Sequence, residues 1–377
     1  MKILLIGEYS NVHWTLAEGL RVRGHKVTVV SNGDFWKNYP RDISLTRSTS
    51  RLGGISFVAK LLTVLPRLRG YDIVQLINPM FLELKAERIT PIYDYLRRHN
   101  KKIVLCAFGM DYYWVSTCCE KKQLRYSDFN IGDKLRDNKD AIAERRDWIG
   151  TAKERLNRHI AADCDAIVAG LYEYWTCYHP IFKDKTAFIS FPIKLGENLS
   201  SKNTTIIQES NSIGTDRPIK LFIGINSTRS EYKGTDIMLA AAEDVIKEHP
   251  GKITLKKAVS IPFDQYRRMM DSSDAILDQL YSYTPAMNSL LAMSKGIVCI
   301  GGGEPENYDI LGEQELRPII NVEPTYDSVR QALENLVDNP GKLARLKTES
   351  IEYVRRHHDY LKVACQYEKL YRKLLSQ

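Results

Sequence analysis

Short apolar runs alternating with longer amphipathic stretches mark the first half of the chain. Ile3–Ile6, Val27–Val30, Ile73–Ile77, Ile103–Ala107, Ala166–Ala169 and Ala187–Ser190 are too short for helices and read as buried strands. Between the first two, Trp14, Ala17, Leu20 and Val22 fall roughly on helical spacing. A helix is therefore predicted from about Val12 to Arg23, ended by Gly24 in the position a C-cap glycine prefers. Strand and helix in alternation predict a doubly wound α/β sheet. A second alternation begins at Ile219–Ile223 and continues through Ile253–Lys256, Ala275–Leu277, Ile297–Ile300 and Ile319–Asn321. Between the halves, Leu195 to Pro218 is rich in Ser, Asn and Thr and has no period, which predicts a linker or surface loop. From Tyr326 to Gln377 the pattern is mostly helical, broken at Asn339-Pro340-Gly341.

Bulk numbers narrow the class. A length of 377 residues suits two domains better than one core. Composition is ordinary for a globular protein, at 44% hydrophobic, 27% charged and a mean hydropathy of −0.32. No apolar run approaches the roughly 18 residues of a membrane-spanning helix. The opening Met1-Lys-Ile-Leu-Leu-Ile stops at Gly7-Glu8, too early for a signal core, and reads as a strand. The seven cysteines are scattered without metal-ligand spacing and fit small buried hydrophobes in a reducing compartment. A net charge of +8 favours anionic partners such as nucleotide phosphates or anionic lipid. Without a zinc-finger, helix-turn-helix or RNA-binding signature, nucleic acid is the weakest of these choices.

The most informative stretch is Asp274 to Glu306. A strand ends in Asp278 and a loop from Tyr281 to Met287, a helix opens at Asn288-Ser289, and Gly296 stops it at Lys295. A second strand then runs into Gly301-Gly302-Gly303-Glu304. Such a loop lies at the carboxyl end of a strand, where open α/β sheets bind ligands. A helix start there offers free backbone N–H groups to a phosphate.

The run LLAMSKGIVCIGGGEPE resembles the donor-binding segment of retaining GT-B glycosyltransferases, often written LEAMAxGxPVV before glycines and a glutamate. The resemblance implies an α/β fold of two Rossmann-like parallel-sheet domains facing across a cleft. Residues 1–195 would form the acceptor domain, 196–217 the linker and 218–358 the nucleotide-sugar donor domain. The last helix, about 359–377, would return to the first domain. Two glutamates frequent in that family fall here on Tyr283 and Leu291, neither of them acidic.

Further residues follow from the same likeness. Lys233-Gly234, with Arg229 ahead of it, is similar to the loop whose arginine and lysine clamp the donor diphosphate. Two cations there can neutralise a leaving diphosphate without a metal. Tyr283, Thr284, Met287, Asn288, Ser289 and Gly303 would cradle the donor, with Glu304, and then Glu306, on ribose or sugar. Phe108-Gly109-Met110-Asp111 resembles an HG-x-D turn lacking its histidine, which leaves Asp111 to bind sugar. Asp72-Ile-Val-Gln75 resembles a DIVH strand with glutamine in place of histidine, a residue expected to pack or hydrogen-bond internally. The loop after the first strand offers Glu8, Asn11 and His13 to the acceptor, His13 and Asp111 being the candidates nearest catalysis.

Arg51 through Arg69 carries four cations around Phe57, Leu61, Leu62 and Leu65, a segment that suits either a helix on the sheet or a foot on anionic lipid. A second cluster, from Lys121-Lys122 to Arg158, is expected to form a long helical excursion. The resulting expectation is a cytoplasmic or peripheral transferase moving a hexose from a UDP- or GDP-type sugar to a glycan or polyprenyl-linked acceptor. It would serve cell-surface polysaccharide synthesis with retention of configuration and with no metal or cofactor. One rival is a non-catalytic subunit that binds sugar nucleotide or a partner enzyme. Another is a sugar-nucleotide epimerase or phosphorylase.

Overall fold

Two compact units make up the chain in a computed structural model that describes residues 1–50, 52–121, 123–196 and 217–377. Most of the linker expected at 196–217 lies outside the described residues, as do Arg51 and Lys122. The first unit comprises residues 1–123, 143–192 and 360–377, and the second comprises 124–142 and 193–359.

Seven parallel strands form the sheet of the first unit. Their order is Ile43–Ser44, Lys26–Ser31, Lys2–Ile6, Ile73–Leu76, Lys102–Ala107, Ala166–Ala169 and Thr186–Phe188. Ile3, Leu4, Leu5, Val104 and Leu105 are fully buried, as expected of strands covered on both faces. The chain leaves Lys2–Ile6 toward one edge and later returns to its other side, so a crevice opens between Lys2–Ile6 and Ile73–Leu76 at their carboxyl ends.

The last helix, Tyr360–Ser376, packs on the first, Val12–Val22. Gly19 permits this approach, since a Cβ there would sit 2.7 Å from the Tyr360 carbonyl oxygen. Glu368 on the last helix takes the guanidinium of Arg23 and stands 3.5 Å from His25. No described helix is long and apolar enough to cross a membrane.

The second unit has five parallel strands in the order Ile253–Val259, Ile219–Ile225, Ala275–Leu277, Val298–Gly301 and Ile320–Asn321. Its switch of direction falls between Ile219–Ile225 and Ala275–Leu277. Thr235–Glu248 and Tyr326–Asp338 close one face over Leu221, Ile223, Val298 and Ile300.

Residues 124–142 depart from the expected excursion. They form a hairpin, Asn130–Ile131 against Lys134–Leu135, and pack with the second unit. Phe129 is buried beside Tyr232, and Arg136 donates to the carbonyls of Tyr232 at 3.0 Å and Glu231 at 2.7 Å. The reading of 1–195 as one continuous domain missed this because an inserted hairpin keeps no period of its own.

Candidate active site

At the crevice of the first unit lies a cavity of about 700 Å³, lined by Glu8, Tyr9, Phe35, Arg47, Lys85 and Lys153 among others. Glu8 reaches it from the loop after Lys2–Ile6, yet the carboxylate also caps the first helix. Its Oε1 accepts from the His13 amide at 3.1 Å and its Oε2 from the Trp14 amide at 2.9 Å. Burial pushes the carboxyl up to about 8, against the opposing backbone bonds. Asn11 enters the helix in the left-handed region, with φ of 68°, and its Nδ2 donates to Thr15 Oγ1 at 3.2 Å.

His13 and Asp111, the two candidates nearest catalysis, are both buried side chains. His13 is wholly buried, with Nδ1 bonded to the Gly7 carbonyl at 2.8 Å and Nε2 met by Gln75 Nε2 at 3.2 Å. Burial pushes the imidazole down to about 3, so it stays neutral inside the core. Asp111 is buried as the N-cap of Tyr112–Ser116, accepting from the Trp114 amide and from the Tyr178 hydroxyl, each at 2.8 Å. Burial raises its carboxyl to about 6. Neither side chain is among the residues that line the cavity, although His13 bonds to Gly7, which does.

The second unit gathers most of the expected donor residues at its own switch point. After Ile219–Ile225 the chain turns through Arg229 into a single helical turn, Ser230–Lys233, closed by Gly234. Arg229 and Lys233 flank the Tyr232 ring, at 4.8 and 5.3 Å from its centroid. After Ala275–Leu277 come Asp278 and the loop of Tyr281, Tyr283 and Thr284, all three buried, and then the helix Met287–Met293. Asn288 does not cap that helix. Its Nδ2 instead donates to the Tyr266 hydroxyl at 2.7 Å, and Ser289 is buried.

Glycine lets the next strand end close on this loop. A Cβ on Gly302 would lie 2.1 Å from the Ser282 carbonyl oxygen. Gly303 donates its amide to Asn321 Oδ1 at 2.9 Å, which sets Glu304 beside Asn321 Nδ2 at 3.0 Å.

The hairpin residues complete the arrangement. Arg125 donates to Glu304 Oε2 at 2.6 Å, also grips Glu306, and lies 4.9 Å from the Tyr283 ring centroid. Tyr126 donates its hydroxyl to Glu304 Oε1 at 2.6 Å. Lys233 Nζ meets both oxygens of Asp128, at 3.3 and 3.4 Å. Arg136 lies 3.5 Å from the centroid of the Tyr281 ring.

Lys233, Glu304, Glu306 and Tyr283 thus share one hairpin as neighbour, while Thr284 is buried and Met287 stands half-buried at the start of its helix. Asp278 is a further candidate, with a carboxyl raised by burial and opposed by Ser289, Asn288 and Lys233. Its place at a strand end was visible in the sequence. Arg125, Tyr126 and Asp128 gave no signal, because their partners lie 105 to 181 positions away.

No protein-family model matches the sequence, and no curated protein matches it. Solved structures do match it in fold. Anabaena HepE, crystallised with UDP and glucose, is 12% identical with a TM-score of 0.57, covering 98% of this chain and 99% of that one. Sucrose-phosphate synthase from Thermosynechococcus elongatus is 14% identical with a TM-score of 0.61, each chain being covered completely. A candidate UDP-N-acetylglucosamine 2-epimerase from Listeria monocytogenes is 10% identical at a TM-score of 0.52, over 97% of this chain and 94% of that one. The two parallel-sheet units are therefore those of the GT-B fold.

Proposed function

We propose that the protein is a glycosyltransferase that moves a hexose from a nucleoside diphosphate sugar, of UDP or GDP type, to a glycan or lipid-linked glycan. One observation carries this reading. Lys233, Asp278 and Glu304 lie on loops at the carboxyl ends of neighbouring strands in the second sheet, on a fold whose solved examples include proteins crystallised with UDP and UDP-glucose. Lys233 and Arg229 would neutralise the charge that grows on the departing diphosphate, so the reading calls for no metal. The reading assigns no catalytic base to a side chain: in a retaining transfer of this kind the donor phosphate itself would take the acceptor proton. The cavity beside Glu8 and Tyr9 would receive the acceptor.

We place the transferase at the inner face of the plasma membrane, in polysaccharide synthesis. The helix Gly53–Val64 supports that location. Phe57 and Leu61 turn inward, but Leu52, Ile55 and Leu62 are 69, 70 and 61% exposed, and no acidic residue occurs between Asp42 and Asp72.

A thermal-shift screen of UDP, GDP, CMP and ADP sugars tests the donor half, because a ligand of the native state raises the melting temperature by mass action. A shift with one nucleotide, lost in Arg229→Ala/Lys233→Ala, is the expected result. Product analysis with and without acceptor separates transfer from epimerisation, the rival favoured by the Listeria neighbour. A shift with no product under any acceptor would indicate a non-catalytic subunit.

A further inference from the structure

Lys233 is expected to hold the donor diphosphate, yet its ammonium already has an anionic partner. Both carboxylate oxygens of Asp128 stand within 3.4 Å of Nζ, and the Asp128 side chain is only 11% exposed. The backbone that carries that carboxylate is anchored. Ser127 Oγ accepts from the amides of Phe129 and Asn130, and the Asp128 carbonyl accepts from Arg136 at 3.1 Å. Arg136 in turn ties the hairpin to the very turn that carries Lys233, through the Glu231 and Tyr232 carbonyls. Buried Phe129 follows directly, so the main chain that carries Asp128 cannot shift without unpacking the hairpin.

A carboxylate held there opposes any phosphate that approaches Lys233. The opposition scales with the charge of the incomer. A nucleoside diphosphate ends in a phosphate whose second proton leaves near pH 6, so at neutral pH it carries about one more negative charge than its sugar ester.

Resting on the donor reading above, we propose that Asp128 is a specificity-determining residue: the resident counter-ion of Lys233, weighing more heavily against the nucleoside diphosphate left after transfer than against the sugar nucleotide. It neutralises Lys233 while the site is empty and yields part of that lysine to the donor. It also favours departure of the product.

Calorimetric titration of the full chain with UDP, UDP-glucose, GDP and GDP-mannose tests this in wild type, Asp128→Asn, Asp128→Ala, Lys233→Ala and Asp128→Asn/Lys233→Ala. The expected result is a nucleoside diphosphate bound roughly three- to tenfold more tightly by D128N, as befits a partly exposed ion pair. The sugar nucleotide should gain by a smaller factor, and both gains should vanish on the K233A background. A purely structural role would lower the melting temperature and weaken both ligands alike. Unchanged or weaker diphosphate binding in D128N and D128A, with the wild type binding and K233A not, overturns the counter-ion role and leaves the donor reading standing. Absence of binding in folded wild type and every variant overturns both.

Discussion

The hydroxyl of Tyr371, on the last helix, donates to Oε1 of Gln75, on the strand Ile73–Leu76, at 2.6 Å. The same amide turns its Nε2 to Nε2 of His13, whose Nδ1 is bonded to the Gly7 carbonyl. Three buried side chains thereby form one chain of hydrogen bonds from the terminal helix to the loop of Gly7 and Glu8. Its donor and acceptor order fits only if His13 is neutral, with the proton on Nδ1.

His13 should therefore show no titration between about pH 5 and 8 in nitrogen-detected NMR. Burial holds its pKa at about 3 against an ordinary 6.5, the Gly7 bond acting the other way. Below 6.5 the unfolded chain takes a proton that the folded chain refuses, so this residue's contribution to stability falls as the pH drops from 6.5 toward 3. A midpoint near 6.5 in the folded protein would contradict the buried assignment. Tyr371→Phe should cost about 1–2 kcal/mol in urea unfolding, since it leaves Gln75 Oε1 without its donor.

In the second unit Asp274 is one of the carboxylates on which acid stability turns. Arg217 donates to both its oxygens, at 2.6 and 2.9 Å, and Lys347 Nζ reaches Oδ1 at 2.6 Å. Burial alone would raise its carboxyl, but Arg217, Lys347 and the Lys220 amide outweigh that and hold it near 2. The contribution is complete above the unfolded value of 3.8 and is lost as the pH falls through about 2. Asp274→Asn leaves two cations facing an amide and should cost about 3–5 kcal/mol at neutral pH. Chemical unfolding of this variant, followed from pH 7 downward, should show a flatter acid limb than the wild type.

What the sequence discloses and what it conceals divide along physical lines. Strands buried on both faces, such as Ile3–Ile6 and Ala275–Leu277, announce themselves through unbroken apolar runs. So does Gly24, because an αL helix stop needs a residue without a side chain. Gln75 was legible as a residue that packs or hydrogen-bonds inside, and it does bond there. The burial of His13 and Asp111 was not, since a polar residue after a strand looks the same whether it caps a helix or faces solvent. The hairpin of 124–142 was hidden for another reason: its contacts to Glu304 and Lys233 are long-range, and Arg125 or Asp128 alone resembles any surface charge.

The exposed stripe of the helix Gly53–Val64 gives a membrane prediction. Leu52, Ile55 and Leu62 lie on one side, three and seven positions apart, flanked by Lys60, Arg67 and Arg69. Ile55→Glu/Leu62→Glu should abolish co-sedimentation with vesicles rich in anionic lipid while leaving the melting temperature within about 2 °C of wild type, as exposed changes do. Retained sedimentation would remove this helix from any lipid contact. High salt should weaken wild-type binding by screening the cations.

Gly302→Ala should distinguish packing at the donor loop from generic glycine effects. The added methyl carbon would stand 2.1 Å from the Ser282 carbonyl oxygen, 2.6 Å from its carbon and 3.0 Å from the Thr284 nitrogen. All three are backbone atoms, so no rotamer change can relieve the clash, and the loop of Tyr283 must shift. Overpacking of this kind costs about 1–3 kcal/mol. The shift should also move the Tyr283 hydroxyl off the Arg125 amide, which it meets at 2.7 Å, and loosen the Glu304 amide from the Tyr283 carbonyl. Nucleotide binding should therefore fall by more than the loss of stability explains. Gly341→Ala supplies the contrast, since no heavy atom lies within 4 Å of a Cβ there and its φ is −60°, a helical value any residue adopts. That change should leave ligand binding intact and hold or slightly raise stability through the unfolded chain. Equal loss of binding in both variants would show that the Gly302 contact does not shape the site.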